Sequence, residues 1–186
     1  MAESRVASRY VKSLLGLAEE QQALDLVHSD MLLFTRVCNE NRAFALMLRS
    51  PVIRHDKKRD VLQKIFGGKV HTLTMAFFDI ITRKNREPLL PSIAREFHNA
   101  YNEYKGIGTA QLVTPFPVDA ALRREFEGMV QQISKKKQIE LVEKVDADMI
   151  GGFVLTVGDR QVDASIRNKL KALKIKFSQN PYVKGF

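Results

Sequence analysis

Cysteine is almost absent from this chain, which carries only one, Cys38, in 186 residues. A lone thiol rules out an intrachain disulfide and any metal site built from a cluster of cysteines. Cys38 falls on an apolar helical stripe with Met31 and Phe34, so we interpret it as a small core residue and not as a nucleophile. This shortage is typical of a protein from a reducing compartment.

Long apolar runs are also missing. No stretch approaches the ~20 apolar residues that a helix needs to cross a bilayer. The segment of residues 1–10 lacks the apolar core of a secretion signal. We therefore expect neither a transmembrane segment nor secretion. The hydrophobic fraction of 45% is nevertheless ordinary and permits a core without disulfides or metals.

The sequence has few of the parts of an enzyme. It contains no phosphate-binding loop and no dinucleotide fingerprint. No two histidines have the i, i+4 spacing of a helical metal motif. We therefore expect no catalytic residue, no cofactor and no metal site. The histidines, which we interpret as lone helical residues, are His28, His55, His71 and His98.

Positive charge is present in excess, with a net charge of +9. The surplus is shared between residues 1–105 and 106–186, so it is not a basic tail. Its densest clusters, residues 54–59 and the lysines at 135–137, lack the interleaved aromatic residues of a platform that stacks bases. We interpret them as solvated helix ends. A basic RNA- or DNA-binding protein remains an alternative, and a sharply salt-dependent affinity for nucleic acid would support it.

The first 105 residues show the periodicity of six consecutive short helices. The residue before a proline avoids helical angles, so Ser50-Pro51 should end the third helix. Asp56 should cap the fourth, and Gly67-Gly68 should end it. The predicted helices begin near Arg5, Leu24, Arg42, Asp56, Val70 and either Pro88 or Pro91.

The pattern changes at residues 106–108 from helical to strand-like. Residues 109–114 and 138–145 read as strands, with a helix between them that Asp119 can cap. We therefore predict a mainly α protein with a small α/β domain. Residues 1–105 would form a six-helix N-terminal bundle, and residues 106–186 a C-terminal domain of a few strands and two helices.

The segment of residues 145–170 is the most informative one. Paired glycines at 151 and 152 break the preceding element, and an apolar run at 153–157 reads as a strand. Gly158-Asp159 supplies a hairpin turn, and residues 161–163 return as the second strand. Ser165 can cap a last helix. We expect this helix to bury an apolar face and to leave Arg167, Lys169, Lys171 and Lys174 outward; the expected face is Ile166, Leu170, Leu173 and Phe177.

That order of features resembles the C-terminal signature of the ATP synthase delta subunit family, called the oligomycin-sensitivity-conferring protein in mitochondria. The matching positions occur in the same order and without a gap. A weaker likeness to the family's opening motif covers residues 7–12. The matches in the signature are Val145-Asp146, Ile150-Gly151-Gly152, Gly158-Asp159, Val162-Asp163, Ser165, Arg167 and Leu170.

The resemblance implies a non-catalytic subunit in the peripheral stalk, or stator, of an F-type ATP synthase. Such a subunit holds the catalytic head still while the central shaft turns. The N-terminal bundle would bind the amino-terminal helices of the alpha subunits, and the C-terminal domain would bind the b subunits. We expect the protein to lie at the cytoplasmic face of a bacterial inner membrane as a peripheral protein.

The first and fifth helices supply the expected site for the alpha subunits. We expect their small and apolar residues to leave a groove that accepts an amphipathic helix. Tyr10 suits an interface because its ring can be buried while its hydroxyl stays in water. The expected groove residues are Ala7, Tyr10, Val11, Ser13, Leu14, Phe77, Ile80 and Ile81.

Residues near the C-terminal hairpin are expected to form a scaffold for the surface that meets the b subunit. Turn and capping roles explain the carboxylates of this region better than the ligand spacing of a calcium loop does. A small enzyme that uses residues 146–163 is a third, weaker alternative. The expected scaffold residues are Gly151, Gly152, Gly158, Asp163, Ser165, Arg167 and Leu170.

Overall fold

A computed structural model describes residues 2–134, 136 and 138–178, with side chains from residue 5 onward. Its contacts divide the chain into two compact units, Met1–Tyr104 and Lys105–Phe186. Helices dominate the first unit, and a small sheet lies in the second, so the predicted fold class of a mainly helical protein with a small sheet is confirmed.

Six α-helices and one 3₁₀ helix build the first unit within its described residues. Their bounds lie close to those predicted by periodicity, and the third helix ends before Ser50-Pro51 as expected. The 3₁₀ helix Glu87–Leu89 places Pro88 in its first turn and leads directly into the last helix. The α-helices are α1 Ala2–Glu20, α2 Leu24–Glu40, α3 Arg42–Arg49, α4 His55–Phe66, α5 Thr72–Arg83 and α6 Leu90–Lys105.

Phenylalanine rings fill the centre of this unit. Phe34 of α2 lies 5.2 Å from Phe78 and 5.6 Å from Phe66 between ring centroids, and 6.0 Å from Phe44. All four rings are buried. Buried aromatic pairs at these separations add to the stability that their burial already supplies. One core therefore unites helices α2, α3, α4 and α5.

Two buried charged groups join elements of this core. The Asp30 carboxylate accepts hydrogen bonds from the His71 backbone N–H at 2.8 Å and from the Thr74 hydroxyl at 2.7 Å. The Lys58 ammonium donates to the Leu48 carbonyl at 3.0 Å and faces the Glu87 carboxylate at 3.8 Å. Because buried charges require partners, Asp30 ties α2 to α5, and Lys58 ties α4 to α3 and to the 3₁₀ helix Glu87–Leu89.

The start of α4 differs from the prediction. Its N-cap residue is Arg54, whose side chain makes no capping hydrogen bond. Asp56 lies two residues further in, within the first turn, where its carboxylate pairs with Arg54 at 3.6 Å and with the His55 ring at 3.0 Å. A carboxylate in the first turn still interacts favourably with the helix dipole. The prediction that Asp56 caps α4 is therefore wrong.

The second unit contains a four-stranded sheet in the order β2-β1-β3-β4. Strands β1 and β2 are parallel, from the pair Ile107 and Gln138 to the pair Thr114 and Val145. A crossover helix between them is needed for parallel pairing, and α7 supplies it. The elements are β1 Ile107–Thr114, α7 Ala120–Ser134, β2 Gln138–Val145, β3 Val154–Val157, β4 Arg160–Asp163 and α8 Ile166–Ser178.

One face of this sheet packs against α7. Leu112, Leu141 and Leu155 are buried beneath Phe126 and Val130 of that helix. Asp119 begins α7 as predicted, because its carboxylate accepts the Ala120 N–H at 2.7 Å and its carbonyl accepts from Arg123. The core of the second unit is thus formed by the sheet and α7.

Helix α8 does not bury the face that periodicity assigns to it. None of its residues is buried, and Ile166, Leu170 and Leu173 are exposed, like Phe177. The prediction that this helix buries those side chains is wrong. Periodicity identifies an amphipathic helix but not the surface that covers it, and the buried residues of the second unit's core belong to the sheet and α7.

Candidate interaction surfaces

Tyr10 joins the first and fifth helices, as the sequence predicts. Its ring meets that of Phe77 edge to face, with 6.3 Å between centroids. Its hydroxyl accepts a hydrogen bond of 2.8 Å from the Arg86 guanidinium, which also lies over the ring at 5.8 Å. Tyr10 is half-buried. Helices α1 and α5 therefore lie side by side near this ring.

Most of the predicted groove residues are not available to a partner. Ala7, Val11, Leu14 and Ile81 belong to the core, and Phe77 is nearly as deeply buried. The reason is that the apolar stripes of α1 and α5 pack inward against the core of the first unit. Burial of these five residues favours a packing role for them, and their contact with the alpha subunits stays a prediction.

Three of the predicted residues do reach the surface: Tyr10, Ser13 and Ile80. We call them the α1–α5 surface. Ile80 is 49% exposed although it is a large apolar side chain. The Ser13 hydroxyl is exposed and donates to the Arg9 carbonyl at 3.1 Å.

Gly152, the second of the paired glycines before β3, is required by a close approach of the chain to the start of α8. Gly152 has a φ of +82°, and a Cβ on it would overlap the Ala164 carbonyl oxygen and lie 2.9 Å from the Ser165 Cα. A Cβ on Gly151 would lie 2.6 Å from the Ile166 Cδ1. The Gly151 carbonyl accepts the Ile166 N–H at 3.0 Å. The prediction of close backbone approach at this site is confirmed.

The hairpin that follows has the predicted turn. Gly158 and Asp159 connect the paired residues Val157 and Arg160, and Gly158 has a φ of +57°. A two-residue hairpin loop favours residues with positive φ because their twist matches that of the strands. The turn thereby fixes the register of β3 against β4, with Leu155 opposite Val162.

Asp163 and Ser165 form the predicted start of α8. The Ser165 hydroxyl oxygen accepts the Asn168 N–H at 3.2 Å, which is the geometry of an N-cap. The Asp163 carboxylate accepts the Ser165 N–H at 2.9 Å. Hydrogen bonds from the Ser165 side chain first and from its backbone second lower the pKa of Asp163 below its ordinary value. The two side chains therefore stabilise one helix end together.

The other aspartates near this hairpin have turn roles. The Asp146 carboxylate accepts the Asp148 N–H at 3.1 Å, and the Asp148 carbonyl accepts from the Arg167 guanidinium at 3.1 Å. Arg167 thus ties α8 to the turn after β2. Within the described residues, no group of three or more histidine, cysteine, aspartate or glutamate side chains is arranged to hold a metal ion.

Two histidines that are 70 positions apart in the sequence meet between α2 and α6. His28 Nε2 lies 2.9 Å from His98 Nδ1, and the Tyr101 ring stacks on His28 at 3.7 Å. The Tyr101 hydroxyl donates to Asp25 at 2.7 Å. The interpretation of these two histidines as lone helical residues is therefore wrong. No sequence signal links them, because each falls on a different helix.

Cys38 packs against the edge of the first unit's core, in agreement with its predicted role. Burial raises the pKa of its thiol to about 11. A thiol with so high a pKa is almost entirely protonated at neutral pH and is a poor nucleophile.

The basic clusters are largely engaged within the chain. In residues 54–59, Arg54 pairs with Asp56 and Arg59 faces Asp79 at 3.8 Å, while Lys58 is buried. Lys136 donates to the Ile107 carbonyl at 3.1 Å. Lys135 and Lys137 lie outside the described residues. Part of each described cluster therefore bonds within the chain.

Among the helices of the described chain, none combines the length and apolar character that crossing a membrane demands.

The chain is a mainly helical protein with a small sheet, and each of its two units carries exposed apolar side chains. The family model for the ATP synthase delta (OSCP) subunit matches residues 6–177. The chain belongs to this family.

Individual relatives agree with that assignment. The ATP synthase subunit delta of Cytophaga hutchinsonii is 38% identical over 179 residues, covering 96% of this chain and 97% of the relative. The same subunit of Amoebophilus asiaticus is 34% identical, covering 96% and 97%. A chain of the Toxoplasma gondii mitochondrial ATP synthase hexamer has the same fold, with a TM-score of 0.74 at 22% identity, covering 94% of this chain and 98% of that one.

Family membership gives the protein its function. It is a non-catalytic subunit in the stator, the peripheral stalk, of F-type ATP synthase.

Proposed function

We propose that the chain links two parts of the synthase with two different surfaces. Its N-terminal part, a six-helix bundle and separable domain, binds the amino-terminal helices of the alpha subunits. Its C-terminal domain binds the b subunits. The link is made at the cytoplasmic face of the bacterial inner membrane. The observation that carries this proposal is that each compact unit has its own core and its own exposed apolar side chains.

The α1–α5 surface supports the alpha contact. Tyr10 is partly exposed beside the Arg86 guanidinium, and Ile80 offers about half of its surface. An aromatic ring, an exposed apolar side chain and an arginine are the residue types that anchor protein interfaces. A partner helix could cover Ile80 without displacing the buried contact between Tyr10 and Phe77.

Ile80→Asp tests the alpha contact. Leu46→Asp is a matched control, because Leu46 is 56% exposed and lies three residues before the end of α3, just as Ile80 lies three residues before the end of α5. Placing a charge in a desolvated contact should weaken binding of an alpha amino-terminal peptide by about 2 kcal/mol.

Isothermal titration of the full chain with that peptide measures the effect, and circular dichroism checks that both variants keep their helices. We expect the control to bind like the wild type. Equal affinities of the peptide for all three proteins would show that the alpha contact does not lie on the α1–α5 surface.

The scaffold around the second hairpin supports the b contact. Close approach at Gly152 and the cap formed by Asp163 and Ser165 set the direction in which α8 leaves the sheet. The apolar residues of α8 are then exposed instead of buried in the second unit. An exposed apolar helix face next to a rigid scaffold is suited to a stalk that must transmit force without slipping.

A further inference from the structure

We infer that α8 binds its partner as one strand of a short coiled coil, and that the partner helix carries acidic residues along its contact edges. This inference rests on the proposed b contact and specifies its chemistry. Its basis is the order of apolar and basic side chains on α8, all of which are exposed.

The apolar residues of α8 are spaced by four, three and four positions: Ile166, Leu170, Leu173 and Phe177. We call these four the α8 seam. This is the a and d spacing of a heptad repeat, with Leu170 at an a position and Leu173 at a d position. At 100° per residue the seam is only about 60° wide, which is the narrow stripe of a coiled coil.

Basic residues border this seam on both sides. Arg167 and Lys174 fall on e positions, and Lys169 and Lys176 fall on g positions. Residues at e and g determine which partner a coiled coil accepts and in which orientation. Helix α8 contains no acidic residue. Its edges therefore present positive charge only.

This charge pattern determines which kind of partner fits the α8 seam. A second copy of α8 would place lysine against lysine along both edges, and like charges in an interface cost affinity and select against wrong partners. A membrane surface would suit a basic helix with a broad apolar face, but the seam is narrow and Ile175 lies on the opposite side of the helix. A helix with apolar a and d positions and glutamate or aspartate at e and g fits both the seam and its edges.

The test uses the full chain and two designed helical peptides that have the same apolar a and d residues. One peptide has glutamate at e and g, and the other has lysine there. Leu173→Asp places a charge in the α8 seam, and Ile175→Asp is the matched control. The side chains of Leu173 and Ile175 are 47% and 49% exposed, and they lie two positions apart on opposite faces of the helix. Lys174→Glu reverses an edge charge, and Lys171→Glu makes the same change away from the seam.

We expect the wild type to bind the glutamate peptide and not the lysine peptide. Leu173→Asp should weaken this binding by about tenfold or more, as expected for loss of an interface anchor, while Ile175→Asp should bind like the wild type. Lys174→Glu should weaken the binding more than Lys171→Glu does, and added salt should reduce that difference. A soluble fragment of the b subunit should respond to the four variants in the same order.

Four results would overturn the inference. Equal binding of both peptides would show that the charges at the e and g positions do not select the partner. A b fragment that binds Leu173→Asp and Ile175→Asp equally well would exclude the seam while leaving the b contact intact. Binding of wild type to phosphatidylglycerol vesicles, lost in Leu173→Asp and without peptide binding, would identify a membrane surface. A dimer in sedimentation that Leu173→Asp disperses would identify a second copy. Failure of the b fragment to bind any form of the chain would contradict the proposed b contact itself.

Discussion

Replacing Gly152 with alanine should destabilise the C-terminal unit more than the same change at any other glycine of the hairpin. Two costs add at this position. A φ of +82° is unfavourable for a residue with a Cβ by roughly 1–2 kcal/mol. The new Cβ would also overlap the Ala164 carbonyl and approach the Ser165 Cα, both backbone atoms that cannot rotate away. Overpacking of this kind costs roughly 1–3 kcal/mol, so we expect a loss of about 2–5 kcal/mol.

Alanine substitutions at two other glycines measure the backbone cost without the packing cost, or neither of them. Gly158→Ala has a positive φ but no atom within 4 Å of the new Cβ, so only the backbone cost of about 1–2 kcal/mol remains. Gly128 lies in α7 with open space around it, and alanine there should stabilise by up to about 1 kcal/mol because glycine is a poor helix former.

Native-state hydrogen exchange of the β1 and β3 amides measures these effects in the full chain, since it reports the opening free energy of the second unit separately from the helical unit. We predict that stability increases in the order Gly152→Ala, Gly158→Ala, wild type, Gly128→Ala. A Gly152→Ala protein as stable as Gly158→Ala would refute the close approach at the start of α8.

Two further predictions concern the helix cap and the boundary between the units. Ser165→Ala should cost ~1 kcal/mol of C-terminal stability by loss of the cap, and it should raise the pKa of Asp163 toward its ordinary value in an NMR titration. The pKa of Asp163 is lower in the folded unit than in the unfolded chain, so its ionised carboxylate stabilises the folded unit at pH values above the unfolded pKa. This stabilisation is lost as the pH falls through the folded pKa. A Ser165→Ala variant whose stability has the same pH dependence as that of the wild type would contradict the pairing. Limited proteolysis should cut near residues 105–108 and release a stable helical fragment, whereas a chain that resists cutting there and cannot be expressed in two parts would refute separable domains.

Local features of the fold follow well from the sequence. The third helix, the second strand and the hairpin turn have the predicted bounds because each depends on neighbouring residues: Ser50-Pro51 ends a helix, and Gly158-Asp159 turns a chain. The cap at Ser165 also follows, since an N-cap needs only a hydroxyl before a helical run. Such signals act over a few positions and do not require the tertiary structure.

Contacts that depend on packing could not be predicted in this way. Periodicity places Val11 and Ile81 on apolar faces, but it cannot say whether such a face meets the protein's own core or a partner, and both proved to be buried. For Leu173, periodicity predicted a buried side chain, but this side chain is exposed. The contact between His28 and His98 joins two helices whose sequences contain no mutual signal.

We propose that one chain binds the head and the stalk of the synthase at the same time through independent surfaces. The most direct measurement is calorimetric titration of the full chain with a b fragment in the presence and absence of a saturating alpha amino-terminal peptide, repeated with Ile80→Asp and Leu173→Asp. We predict that the affinity for b is the same with and without the peptide, that Ile80→Asp loses only the peptide, and that Leu173→Asp loses only b. Competition between the two ligands, or a folded variant that loses both, would contradict the claim.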